Sequence, residues 1–561
     1  MADLVTLAAA SWLFLCPASD GGAPPSDGVL LASYSGVSGA SLALGISETE
    51  PEPSADCRSV PLPIPATAVR WAGVLPAELA PQLKRGLVLQ RPSNPFSTGR
   101  LEVSEIEPWP AASAPVPPIL PGDSLLPAAR TIVFGAEERM ALSRADNGAV
   151  VLECRPGEAP AGLVLSLSGR LPAGARTTLA VDYTAAPGFT LGAADESLRR
   201  REDVALLGDL PPQEATARRE LAIPLDHLDA RSALSLTVVC PGEGGFLRLE
   251  RIALSATLAT ASQSRAAWAW QPERWLQDGT VLIGEARARG IDTLYVTVPI
   301  VDGQVADAPT LGRFITEAGR AGIAVWAVEG DPHAVLSRER EGFVARTGAL
   351  AAYNSATDTD SARLAGVQYD IEPYLVPGYG LDRAAWDAAY LDTLARLKAA
   401  ARMPVTAAVP FWFAGEGRQA FLDQLARVVD GVAVMAYRSD AAAVAALAEP
   451  FLAWGAGQGL PVHVALESGP LPDEERTRFQ PAAKGTLWHL DLGGRPILLW
   501  LDHERTNPHG PAFTAVDDQL LPGRRLSFAG DEVRLEETSR RLETVLRAWS
   551  SFAGLALHGV L

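Results

Sequence analysis

From about residue 263 onward the chain alternates short apolar runs with helical stretches eight times, the rhythm of a (β/α)8 barrel. The strand-like runs are AAWAW, DTLYVTVPI, IAVWAVEG, AGVQYDIEP, VTAAVPFWF, GVAVMAYR, PVHVALES and GLALHGVL. Between them lie stretches such as TLGRFITEAGRAG and RAAWDAAYLDTLARLKAAAR, whose apolar residues recur at helical spacing. Residues 263–561 are therefore predicted to be a (β/α)8 TIM barrel. A doubly wound open sheet is the competing arrangement. It requires a Gly-rich first turn, and AWAWQPERW has no glycine.

Upstream the pattern is different, and the chain is predicted to be multidomain. Over residues 126–260, runs such as RTIVFG, AVVLECR, TTLAVDYTA and GFLRLERIALSA are separated by Gly, Pro and Asp turns. That spacing predicts an all-β sandwich, jelly-roll-like, with either a glycan-facing or a bracing role. Residues 1–125 are rich in Pro, Gly and Ser and predict a β-containing region ending in the linker EPWPAASAPVPPILPG. LVTLAAASWLFL is similar to the apolar stretch of an export leader, although Asp3 stands where such leaders are basic. A periplasmic or secreted location is expected, with the cytoplasm as the alternative. Cys154 and Cys240 fall in two strand-like runs and are either a disulfide across the sandwich or two buried thiols.

A formal net charge of −18 argues against nucleic acid as a partner, since binding it needs a basic surface. No run approaches the ~18 apolar residues of a membrane span. The chain lacks a G-x-S-x-G elbow, a Walker loop and a CxxC pair. Asp502, His503, Glu504 and His509 cluster in LWLDHERTNPHG without zinc-ligand spacing, so no metal and no cofactor is expected. Asp502 or His503 is expected instead on the barrel rim near strand 7.

Side chains alternate along a strand, so parity sorts lumen from helix-facing positions. In strand 4, Val367, Tyr369 and Ile371 share one face, and Gln368, Asp370 and Glu372 share the other. A polar face rising toward the C-terminal end suits the barrel mouth, where barrel enzymes place their chemistry. Carboxylates two residues apart repel unless they share a proton, which raises the pKa of one partner. The same parity predicts that Tyr437 on strand 6, Glu467 on strand 7, Trp412 on strand 5 and His558 on strand 8 converge there. Trp268, Trp270, Trp326 and Trp412 fall at or near strand ends, where aromatic faces stack on sugar rings.

GVQYDIEP and VAVMAYR together resemble glycoside hydrolase family 18, the chitinases and endo-β-N-acetylglucosaminidases. That family carries Asp-Gly-x-Asp-x-Asp-x-Glu on strand 4 and Met-x-Tyr on strand 6. Gly366, Asp370, Glu372, Met435 and Tyr437 match. The resemblance implies Glu372 as general acid, Asp370 as the residue that positions a substrate acetamido group, and Tyr437 as its hydrogen-bond partner. Ala365 and Gln368 stand where two signature aspartates would be, and His558 where the family has a tryptophan. A second geometry fits the same chain. Many retaining glycosidases place the acid/base after strand 4 and the nucleophile after strand 7, with carboxyls ~5–5.5 Å apart. Glu372 and Glu467 occupy those positions. The expected function is a glycoside hydrolase acting on a polysaccharide or oligosaccharide. The alternative is a catalytically inactive glycan-binding or scaffold protein on a degenerate barrel.

Overall fold

The computed structural model describes residues 11–18, 28–37, 41–50, 57–75, 79–92, 105–108, 116–195, 204–223, 228, 232–256 and 263–561. Eight parallel strands close into a barrel. In chain order they are Ser264–Ala269, Thr293–Thr297, Ala324–Glu329, Val367–Tyr369, Val405–Pro410, Gly431–Met435, Val462–Glu467 and Phe552–His558, referred to below as barrel strands 1 to 8. Each coincides with one of the eight strand-like runs of the sequence. Helices lie between consecutive strands: α1 (Glu273–Ala288), α2 (Ala308–Arg320), α3 (Ser337–Ala356), α4 (Arg383–Ala401), α5 (Gln419–Val428), α6 (Ala441–Gln458) and α7 (Glu532–Leu546).

The two faces of the barrel strands carry different residues for a packing reason. Val367, Val405, Val409, Val432, Val434, Val464, Leu466 and Leu555 face outward and join the helices in one core. The helices answer with apolar stripes, as in α2, where Leu311, Phe314, Ile315 and Ala318 are buried and Asp307 caps the first turn by accepting from the Thr310 amide at 3.0 Å. Inside the barrel, Ala266, Ala433, Ala465 and Ala556 leave room for Trp268, Tyr295 and Trp326. Burial on both faces explains why these strands read as continuous apolar runs.

Two five-stranded antiparallel sheets precede the barrel and pack as a β-sandwich around Leu163, Leu165, Val181, Leu191, Leu236 and Leu249. Cys154, at the end of Val150–Cys154 in one sheet, is disulfide-bonded to Cys240, just past Ser235–Val239 in the other. The sandwich is fastened to the barrel helices. Glu449 on α6 is 2% exposed and takes both ends of the Arg170 guanidinium, one at 2.8 Å, plus the Ala173 amide. The Trp549 indole donates to the Ala173 carbonyl at 2.8 Å.

The region before the sandwich and the segment after barrel strand 7 share their structure. A seven-stranded sheet interleaves Val69–Val74, Leu87–Pro92 and Glu105–Pro108 with Glu474–Ala482, Gly485–Asp491, Pro496–Arg505 and Ala512–Leu521. Leu87 pairs with Phe479 and Trp71 with Trp500. A four-stranded sheet, in the order Gly28–Ser35, Ser41–Ser47, Ser11–Ala18 and Arg58–Leu62, packs on it through Leu13, Leu15, Leu44, Trp488 and Leu499. The apolar run around Trp12–Leu15 is thus an interior strand of this sheet, and Cys16 on it is bonded to Cys57. The first part of the leader-like segment, residues 1–10, lies outside the described residues. Among the described residues no helix is long and apolar enough to cross a membrane.

Candidate active site

Barrel strand 4 is short, and its parity holds. Gln368 points into the lumen, is fully buried, and accepts from the Trp268 indole at 2.6 Å. Tyr369 points outward, and its hydroxyl is 2.6 Å from Thr347 on α3. Gly366 precedes the strand because a Cβ there would lie 2.2 Å from the Trp326 ring. That ring fills the deep lumen against Tyr295, at a centroid distance of 6.2 Å.

Beyond Tyr369 the chain leaves the strand but keeps its direction, as the Asp370 amide donates to the Glu329 carbonyl at 2.8 Å. Glu372 follows at the start of the turn Pro373–Leu375 and accepts a short hydrogen bond from the Tyr374 hydroxyl. Asp370 Oδ1 is buried and has no hydrogen-bond partner among the described residues. Burial above all, then the charge of Glu372, pushes the Asp370 carboxyl up to about 7, against the pull of His558. Burial also raises Glu372, opposed by the Tyr374 hydrogen bond and by His558. With its carboxyl raised to about 7, Asp370 can carry a proton near neutral pH beside the raised Glu372, a setting suited to general acid chemistry.

Across the mouth, Glu467 ends barrel strand 7 at 4% exposure. Its Oε1 accepts from the Gly469 amide at 2.5 Å and its Oε2 lies 2.6 Å from His558 Nδ1. The Trp270 indole donates to His558 Nε2 at 2.9 Å. An indole N–H can only donate, so Nε2 must accept and the single proton of a neutral ring sits on Nδ1, facing Glu467. Electrostatics pull the other way. Burial lowers the His558 pKa, but the hydrogen bond and charge of Glu467, with Asp370 and Glu372, outweigh it and raise it. The hydrogen-bond geometry sets the form seen here, and forming the imidazolium requires Trp270 to give up its bond.

Tyr437, two residues past barrel strand 6, stacks on His558 at a centroid distance of 6.4 Å. Burial, then the charges of Asp370, Glu467 and Glu372, hold its hydroxyl protonated far above the ordinary range. The mouth thus gathers Asp370, Glu372, Tyr437, Glu467, His558 and Trp270. Trp412 joins from the turn Phe411–Ala414 after barrel strand 5, its ring 4.9 Å from Tyr374 and 5.6 Å from the Arg383 guanidinium. Tyr374, which bears directly on Glu372, was not singled out in the sequence; its position two residues past Glu372, in IEPY, is the available signal.

Other expected residues lie elsewhere. Trp268 is 3% exposed with its N–H committed to Gln368 and forms part of the floor, while Trp326, level with it through Tyr295, is half-buried in the same lumen cluster. The residue expected on the rim, Asp502, belongs to Pro496–Arg505 of the seven-stranded sheet, 3.7 Å from Arg505 and 3.9 Å from His503, because residues 474–521 fold as strands of that sheet. His463 has the lumen parity of Glu467 but sits at the opposite end of the strand, half-buried, 2.7 Å from Ser264 Oγ.

No known family model matches the chain, and no curated protein does. Among solved structures, a family 29 carbohydrate-binding module complexed with mannohexaose is similar at 13% identity and a TM-score of 0.19, covering 24% of this chain and 89% of that one. An endo-1,4-β-D-xylanase from Clostridium thermocellum, comprising a family 22 binding module and a family 10 hydrolase module with xylohexaose, is similar at 12% identity and a TM-score of 0.25. That likeness covers 60% of this chain and 79% of the other.

Proposed function

We propose that the protein is a glycoside hydrolase, that its parallel barrel is the catalytic (β/α)8 unit, and that Glu372 is the general acid. The observation that carries this reading is the Asp370–Glu372 pair at the barrel mouth, with burial and the charge of Glu372 pushing the Asp370 carboxyl up to about 7. A proton held there can be delivered to a glycosidic oxygen, and Trp412 offers a partly exposed ring beside it.

Of the two mechanisms, the one assisted by the substrate fits the hydrogen bonds better. Glu467 has one hydrogen bond on each oxygen, from the Gly469 amide and with His558, and is oriented as the partner of that imidazole. Asp370 Oδ1 has no hydrogen-bond partner among the described residues and can accept from an acetamido N–H, while the Tyr437 hydroxyl, kept protonated, can donate to its carbonyl. The substrate proposed is therefore a β-linked glycan of N-acetylated hexosamine. Two disulfides suit an oxidising compartment, so we place the protein in the periplasm or outside the cell.

The test uses two substrates that differ only in the 2-acetamido group, with Glu372→Gln alongside. Hydrolysis confined to the acetamido substrate, and lowered about 10³-fold in Glu372→Gln, is the expected result. New reducing ends at an unchanged rate in that variant refute the assignment. A non-catalytic glycan-binding role is the second reading, favoured by the Tyr374 hydroxyl occupying Glu372 Oε1. It requires saturable binding of the same glycans with no product.

A further inference from the structure

The β-sheets that join the start of the described chain to the segment after barrel strand 7 are attached to the rim of the barrel at two distant places. On one side the attachment is covalent and reinforced. The chain leaves barrel strand 7 at Glu467, builds Glu474–Leu521, and returns so that the Phe528 amide donates to the Glu467 carbonyl at 2.9 Å and the Gly530 amide to the Ser468 carbonyl at 2.9 Å. Ser439, after barrel strand 6, donates from its hydroxyl to the Arg524 carbonyl at 2.7 Å.

On the other side the four-stranded sheet touches down. The Ser35 amide, at the end of the edge strand Gly28–Ser35, donates to the Pro377 carbonyl at 2.7 Å in the loop after barrel strand 4. A Cβ on Gly378 would sit 2.3 Å from the Ser35 carbonyl oxygen, so the two backbones are in direct contact. Val37 packs on the barrel core, and its carbonyl accepts from the Ser337 amide, at the start of α3 after barrel strand 3, at 3.5 Å. The footings thus follow barrel strands 3 and 4 on one side and strands 6 and 7 on the other, with strand 5 between them on the ring. Between the two anchors the two sheets share one core through Leu13, Leu44, Trp488 and Leu499.

We propose that these sheets form a bridge across the mouth of the barrel, so that a linear glycan reaches Glu372 by its chain end and not by settling sideways into an open cleft. The proposal rests on the glycosidase reading for its substrate, but the bridge itself does not. A bridged mouth admits a single chain lengthwise and excludes branched or packed surfaces. Tyr374 and Glu372 lie within a few residues of the Pro377–Gly378 footing, so the sheet is rooted in the same loop that carries the acid.

Two measurements on the full chain test this. Hydrogen exchange reads the footing: the Ser35 amide is slow in the wild type and about tenfold faster in Gly378→Val, whose side chain meets the Ser35 carbonyl. A wild-type Ser35 amide that exchanges like an unbonded edge-strand group overturns the bridge. The second measurement follows glycol chitin by viscosity and by reducing ends together. The wild type is expected to release reducing ends with little loss of viscosity. Gly378→Val, and Ser35→Pro, which removes the donor, are expected to lose viscosity at least about threefold faster per reducing end. Ser35→Pro also guards against misfolding of the first variant. A steep viscosity loss in the wild type, or the same ratio in all three proteins, refutes access by chain ends. Should glycol chitin yield no reducing ends at all, the glycosidase reading falls, and the exchange measurement alone upholds or overturns the bridge.

Discussion

Glu467 and His558 are joined by a 2.6 Å contact that fixes the imidazole, because the far nitrogen of the ring already accepts from Trp270. A carboxylate used this way positions another residue. Glu467→Ala is expected to lower kcat/KM by at least about 10²-fold, and sodium azide is expected not to restore turnover. Recovery with azide, giving a glycosyl azide, would instead identify Glu467 as the nucleophile.

Activity should fall as pH rises through neutrality. Asp370 is pushed up to about 7 and Glu372 is raised with it, so the proton of the pair is lost there. Stability follows the same sign. A carboxyl whose folded pKa lies above its unfolded value contributes most below the unfolded value and loses that contribution as pH climbs to the folded one. Asp370 should therefore destabilise the fold progressively between about pH 4 and 7. Asp370→Asn, which cannot ionise, should be more stable than the wild type at pH 8 by roughly 2–4 kcal/mol and equal to it at pH 4. Urea melts at the two pH values check this, and a variant less stable at pH 8 contradicts it.

Tyr374→Phe removes a hydrogen bond that lowers the Glu372 pKa. The alkaline limb of the kcat/KM profile should then move to higher pH, with a change in its maximum of no more than about tenfold. A shift to lower pH, or none, would show that the hydroxyl does not tune the acid.

Cys240→Ser unlinks the two sheets of the sandwich by opening a closure between positions 86 residues apart in sequence. A loss of about 2–5 kcal/mol is expected in the unfolding of the sandwich. The barrel mouth contains no cysteine, so turnover at temperatures below the melt should be unchanged. A melt identical to the wild type would show that the bond contributes nothing to the fold.

The residues legible in the sequence are those placed by local rules. Period-two parity put Gln368 in the lumen and Tyr369 outside it, and brought Tyr437, Glu467 and His558 to one end of the barrel. Ala433, Ala465 and Ala556 share that parity and lie in the lumen. Residues governed by distant partners were not legible. Pro496–Arg505 reads as an isolated apolar run, and its pairing with Val69–Val74 crosses more than four hundred positions that no local pattern encodes. That is why the sheet carrying Asp502 could not be read. Tyr374 lies on a turn without periodicity. Cys16 and Cys57 come together only because Ser11–Ala18 becomes an interior strand.

The interleaved seven-stranded sheet also dictates an order of synthesis. Leu87–Pro92 leaves the ribosome early, but its antiparallel partner Glu474–Ala482 emerges only after the sandwich and seven barrel strands. At 5–20 residues per second the earlier strand waits roughly 20–80 s with an unpaired edge. During that interval Leu87 and Leu89, fully buried in the finished protein, have no native partner on that side. A nascent chain built this way carries an exposed apolar strand edge over that interval, and the seven-stranded sheet can close only after barrel strand 7 has been made.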